Sequence, residues 1–124
     1  MRIDQLFRRE VVAVSADESL AEAASRMTFN EVSALPVLEG GELIGILTER
    51  DVVQAVADER DPTTTAVAEC MTPRPVTIAP DAEVSDAARA MLEIGARHLP
   101  VVDGGRLVGM LSARDLLEAD AEWP

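Results

Sequence analysis

Leu35-Pro36-Val37-Leu38-Glu39-Gly40-Gly41-Glu42-Leu43-Ile44-Gly45-Ile46-Leu47-Thr48-Glu49-Arg50-Asp51 returns 64 residues later as Leu99-Pro100-Val101-Val102-Asp103-Gly104-Gly105-Arg106-Leu107-Val108-Gly109-Met110-Leu111-Ser112-Ala113-Arg114-Asp115. The match runs without a gap over residues 3–53 against 67–117, so the chain is two copies of one unit. In each copy two short apolar runs flank a paired glycine, Gly40-Gly41 or Gly104-Gly105. Such glycines accept the positive φ of a tight turn, and each copy therefore predicts a β-hairpin. Thr48 and Ser112 close the hairpins at points where a hydroxyl can cap the free N–H groups of a helix. Val52, Val53 and Val56 in one copy, and Leu116 and Leu117 in the other, supply that helix with apolar positions.

Working outward, each copy opens with a short β-type segment, Val11 to Val14 or Val76 to Ile78. Ser15 with Glu18 three residues on predicts a capping box for the next helix, and Asp81 predicts the cap of its counterpart. The stripes Leu20, Ala23, Ala24, Met27 and Val84, Ala87, Ala88, Met91 have helical spacing, and Gly95 predicts the end of the second. The unit reads β-α-β-β-α. Residues 58–66, polar and broken by Pro62, read as a linker between a first repeat at 1–57 and a second at 67–120, with a short helix or turn at Val67 to Met71. A sheet covered by helices on one side leaves an apolar face open. The expectation is an α+β fold in which two repeats pack sheet to sheet about a pseudo-two-fold axis, with equivalent clefts at the seam.

Composition narrows the function. With 124 residues, 48% of them apolar, the chain can bury one continuous core. Aromatics make up only 2%, so no platform for stacking nucleic acid bases is present. The net charge of -12 repels phosphate backbones and anionic membranes, which argues against both as partners. The carboxylates are scattered (Asp17, Glu22, Asp58, Asp81, Asp86), giving a solvated surface like that of proteins from salt-loving microbes and suggesting a halophilic archaeon as source. Cys70 is the lone cysteine and cannot form an internal disulfide, and no long apolar run marks a leader or anchor, so the cytoplasm is the expected location. One cysteine and one histidine cannot build a structural zinc site, and no phosphate-loop or nucleophile-elbow motif occurs. Met27, Met71, Met91 and Met110 sit at core-type positions, and Trp123 is open in role.

The order β-α-β-β-α, the Leu-Pro-Val strand, the hairpin glycines and the twice-repeated closing pattern Gly-apolar-x-Thr/Ser-x-x-Asp together resemble the cystathionine β-synthase (CBS) domain pair, or Bateman module, over nearly the whole chain. The resemblance implies a regulatory protein, not an enzyme, that requires no cofactor and takes AMP, ADP, ATP or S-adenosylmethionine as a regulatory ligand. It further implies that Asp51 and Asp115 hold a ribose, that Arg97 and His98 reach ligand phosphates, and that Ile46 and Met110 line a base pocket. Val12, Ala13, Thr77 and Ile78 match segments whose backbone meets the purine. Thr72 matches a threonine common in the family; Arg8, standing in its place in the first copy, departs from the pattern and weakens the expectation for the first cleft. Ser33 and Ala34 replace Arg97 and His98 there, so the Ser112 and Asp115 site is expected to hold phosphate better.

Read from chemistry alone, Thr48 and Ser112 mark helix N-termini whose N–H groups and partial positive charge suit a phosphate. Asp51 and Asp115, one turn later, can accept hydrogen bonds from both hydroxyls of a ribose. The same residues also read as a helix cap and nothing more. Arg50 and Arg114 can reach phosphates or stay solvated. Two functions remain open: a sensor of a small adenosyl ligand that signals to an unidentified effector protein, and a homodimeric scaffold that binds no small ligand.

Overall fold

The computed structural model describes residues 1–121, and side chains as far as Ala119; Trp123 lies outside the described residues. The chain folds as two compact units that cut across the sequence repeats: Val12–Pro75 form one, and Met1–Val11 with the chain from Val76 on form the other. Each unit thus carries the helices and hairpin of one repeat together with the leading segment of the other.

In the unit of Val12–Pro75, β1 (Val14–Ser15) runs parallel to β2 (Ala34–Glu39), with Val14 opposite Val37. β2 returns through Gly40 (φ 57) and Gly41 (φ 82) into β3 (Glu42–Thr48), the positive pair of angles that a two-residue hairpin loop demands. β4 (Thr72–Pro73) then pairs antiparallel with β3, placing Thr72 opposite Ile46. α1 (Leu20–Asn30) and α2 (Glu49–Ala57) cover the sheet, and Leu20, Ala23, Met27, Leu35, Val37, Leu47 and Val67 make the core.

α1 begins four residues later than Ser15 predicts. Its cap is Ser19, whose Oγ accepts the Glu22 N–H at 3.1 Å. Ser15 and Glu18 do meet, the Ser15 N–H donating to Glu18 Oε1 at 2.9 Å, but they close a turn ahead of the helix because Arg26 draws the Glu18 carboxylate to its own guanidinium at 2.7 Å. The first N–H groups of α1 are answered by the segment read as linker: Leu20 donates to the Thr65 carbonyl at 3.0 Å and Ala21 to that of Pro62 at 2.9 Å. That segment is packed on the helix start, with Thr65 buried.

The other unit repeats the design with thinner edges. β5 (His98–Asp103) and β6 (Arg106–Ser112) form the hairpin, and the flanking strands shrink to single bridges, Ile78 parallel to Val101 and Arg8 antiparallel to Met110. The strand expected at Val76 to Ile78 is therefore one bridge long, bracketed by Pro75 and Pro80, which have no N–H to donate. α3 (Val84–Ile94) starts after Glu83 without a side-chain cap, so Asp81 does not serve. The leader does so instead: the Met1 carbonyl accepts the Val84 N–H at 2.7 Å and the amino terminus pairs with Glu83 at 3.0 Å. α4 spans Ala113–Ala121. Ile3 and Phe7 from the leader complete a core with Ala87, Met91, Leu99, Val101 and Leu111.

The crossing leaders also explain the motif glycines. A Cβ at Gly45 would strike Met71 and the Thr72 carbonyl, and one at Gly109 would strike Phe7 and the Arg8 carbonyl. Only glycine lets the borrowed segment lie this close to the hairpin.

Candidate functional site

Both helix starts after the hairpins carry the same hydrogen-bonded box. The Thr48 N–H donates to Asp51 Oδ2 at 2.8 Å, the Thr48 hydroxyl donates to the same oxygen at 3.1 Å, and the Asp51 N–H returns to Thr48 Oγ1 at 3.3 Å. In the second repeat the Ser112 N–H donates to Asp115 Oδ2 at 2.8 Å and the Asp115 N–H to Ser112 Oγ at 3.1 Å. The helix-cap reading of these residues is thus realised. The first N–H of each helix is taken as well, Glu49 donating to the Ser33 carbonyl at 3.0 Å and Ala113 to that of Arg97 at 2.8 Å. What these helix starts offer is therefore a half-buried carboxylate and hydroxyl more than bare backbone amides, and the carboxylate bonds all run through Oδ2.

The remaining sequence-predicted residues divide between the two units. Ile46, Thr48, Asp51 and Thr72 belong to one; Thr77, Ile78, Arg97, His98, Met110, Ser112, Arg114 and Asp115 belong to the other. His98 lies opposite Ser112 in the hairpin register, and Arg97, one residue before, is exposed and forms no ion pair among the described residues. Arg114 instead pairs with Glu118 along α4 at 3.0 Å, both side chains largely in solvent. Ile78 packs its side chain on the core, and its backbone is committed to the sheet: its N–H donates to the Pro100 carbonyl at 3.0 Å and its carbonyl accepts from Val102 at 2.9 Å. Thr77 beside it is exposed.

Arg8 changes sides. The repeat aligns it with Thr72 and assigns it to the first site, but the fold bridges it to Met110, in the unit of Ser112 and Asp115. Thr72 in turn faces Ile46, two residues from Thr48. The signal for this exchange was in the sequence: the two motif glycines mark strands crossed closely by other backbone, though they do not say whose.

A surface depression of about 350 Å³ lies elsewhere in the Val12–Pro75 unit, lined by Val12, Glu22, Ser25, Arg26, Phe29 and Asn30. Of the residues that the resemblance singled out, Val12 lines it; Thr48, Asp51, Ile46 and Thr72 do not. Arg26 within it is fixed by Glu18 and by the Ala13 carbonyl at 2.9 Å. No group of metal-binding side chains occurs among the described residues.

Comparison with known proteins adds independent findings. The family model described as CBS domain matches residues 3–58 and again residues 67–122. A CBS domain-containing protein of Bacillus subtilis is 39% identical over 108 residues, covering 86% of this chain and 76% of its own length. An uncharacterised protein of Methanopyrus kandleri is 31% identical over 95% of this chain, which spans 62% of that relative's length. Among solved structures, a CBS-domain protein of Burkholderia ambifaria superposes with a TM-score of 0.95 at 30% identity, covering 100% of this chain and 97% of its own. A further structure, of CBSX2 in complex with AMP, superposes with a TM-score of 0.81 at 26% identity, covering 98% and 96%. These relatives lend no support to the halophilic origin that the acidic surface suggested.

Proposed function

This chain belongs to the CBS-domain family, and on that premise we propose that it is a regulatory module that binds an adenosine nucleotide or S-adenosylmethionine and passes the bound state to a partner protein. The observation that carries this reading is the duplicated hydroxyl–Asp box. In each copy the cap bonds run to Oδ2, which holds the carboxylate in one orientation and leaves Oδ1 as an acceptor for a ribose diol. The similar CBSX2 structure holds AMP, which supports the ligand class. The module works as a switch without turnover and needs no cofactor. Its net charge of -12 disfavours nucleic acid and anionic bilayers as partners, and no described helix is long and apolar enough to cross a membrane.

Thermal unfolding with AMP, ADP, ATP and S-adenosylmethionine, each at millimolar concentration, tests the proposal. A ligand at 100 times its Kd stabilises the folded state by about 2.7 kcal/mol, a shift of several degrees. Asp115→Ala also weakens the cap, so the quantity to compare is the ligand-induced shift in each variant, not the absolute Tm. Loss of that shift in Asp115→Ala supports the sensor; no shift with any ligand in the wild-type chain rejects it.

A second reading is favoured by a separate observation. Phe29, Val53 and Val56 stand exposed on helices of one unit, and Leu92 and Leu117 on helices of the other. Isolated apolar side chains are ordinary on a surface, but helical apolar positions left in solvent suit a homodimer that acts as a scaffold. Light scattering that gives a monomer mass at all concentrations overturns it.

A further inference from the structure

We propose that Arg8, although it opens the first repeat, is the specificity residue of the Ser112 and Asp115 site and makes that site select adenosine ligands carrying a phosphate chain. The inference rests on the sensor reading above and deepens it by distinguishing the ligands of the two sites.

Three observations combine. Arg8 and Met110 exchange both backbone bonds, Arg8 N–H to the Met110 carbonyl and Met110 N–H to the Arg8 carbonyl, each at 2.9 Å. Residues so paired stand directly opposite, and their side chains leave the same face of the sheet. On that face β6 also presents Ser112, and the hairpin register sets His98 opposite Ser112. The other face carries Leu99, Val101 and Leu111, each wholly buried in the core. Ser112 is the diagonal neighbour of Arg8, a separation of about 7–8 Å that a long side chain spans.

Arg8 is also exposed and forms no ion pair among the described residues, although the chain carries 23 acidic side chains. Its neighbour Arg9 behaves differently, lying over the Phe7 ring at 4.4 Å and donating to the Asp4 carbonyl. Arg8 is thus a cation left unspent beside the hydroxyl–Asp box. Arg97 is another, and its carbonyl caps α4. With the Ala113 and Asp115 amides of α4 already answered, side-chain cations beside the Arg114 N–H are what meets a phosphate chain. The other unit has Thr72 in the place of Arg8, with Ser33 and Ala34 in the places of Arg97 and His98. Its site suits an uncharged adenosyl group.

Isothermal titration with ATP and with adenosine tests this in the wild-type chain, Arg8→Thr and Thr72→Arg. Arg8→Thr installs the residue that the other unit already accepts at this place, and an unchanged Tm without ligand verifies that the leader still docks. Loss of a charge-assisted hydrogen bond predicts ATP binding weakened about tenfold or more, with a shallower salt dependence and adenosine affinity unaltered. Thr72→Arg is expected to tighten ATP at the other site. If ATP and adenosine both bind but their affinity ratio is the same in Arg8→Thr, Arg8 is not the selector and the sensor reading stands. If neither binds the wild-type chain, the Arg8 proposal falls, and the sensor reading stands or falls with the thermal shifts given by AMP, ADP and S-adenosylmethionine.

Discussion

Glu31 and Gly95 occupy the same place in the two repeats, the left-handed residue that ends α1 or α3, with φ 54 and 66. A residue with a Cβ pays roughly 1–2 kcal/mol for that conformation, and glycine does not. Glu31→Gly is therefore expected to stabilise the chain by about 1 kcal/mol in urea unfolding, and Gly95→Ala to destabilise it by a similar amount. A result of the opposite sign at either position would show that another interaction governs that helix end. Gly95 was legible as a stop because glycine there has one obvious use; Glu31 was not, because its side chain gives no sign of the backbone angle it must adopt. The same limit applied to Thr48 and Asp51. Their spacing reads both as a cap and as a ribose site, and the fold confirms the cap without removing the carboxylate from reach.

At the level of the element, the entry to α1 is held by one ion pair. Arg26 clasps Glu18 with two nitrogens, at 3.0 and 2.7 Å, and a third bond ties it to the Ala13 carbonyl. The Glu18 carboxyl is held below its ordinary value of 4.5, first by the Arg26 hydrogen bond and then by the Ser15 N–H. In the unfolded chain it titrates at its ordinary value, so this stabilisation is complete above about pH 4.5 and is lost as the pH falls through the lower folded value. Glu18→Gln is expected to cost about 1 kcal/mol at pH 7, and the gap in Tm between it and the wild-type chain to close in acid. A gap that persists undiminished well below pH 4.5 would rule out the carboxylate's charge as its source. The counterpart positions are Ala82 and Ala90, and there the leader's Met1 takes over the task at α3. This is why the helix stripes and hairpins were readable from periodicity, while both helix starts were misplaced. Periodicity is local, and what answers a helix's first N–H groups comes from segments far along the chain.

Across the whole molecule, the repeat in the sequence and the compact unit in space are different objects. Ile3 and Phe7 are 0% and 6% exposed, and they sit in the core of residues that begin at Val76. Truncating one buried Phe costs about 3–5 kcal/mol, of the same order as the whole stability of a small domain. Deleting residues 1–11 is therefore expected to strip hydrogen-exchange protection from β5 and β6 while β2 and β3 keep theirs. Equal loss in both hairpins would contradict the division into units. The exchange also bears on how such a chain could arise. A single ancestral copy would have had to lend its first residues to a sister molecule and borrow hers, as swapped dimers do. Fusing the two genes would then have made permanent, on one polypeptide, a loan that was already reciprocal, and neither copy could afterwards be cut free with its own beginning attached and still be whole.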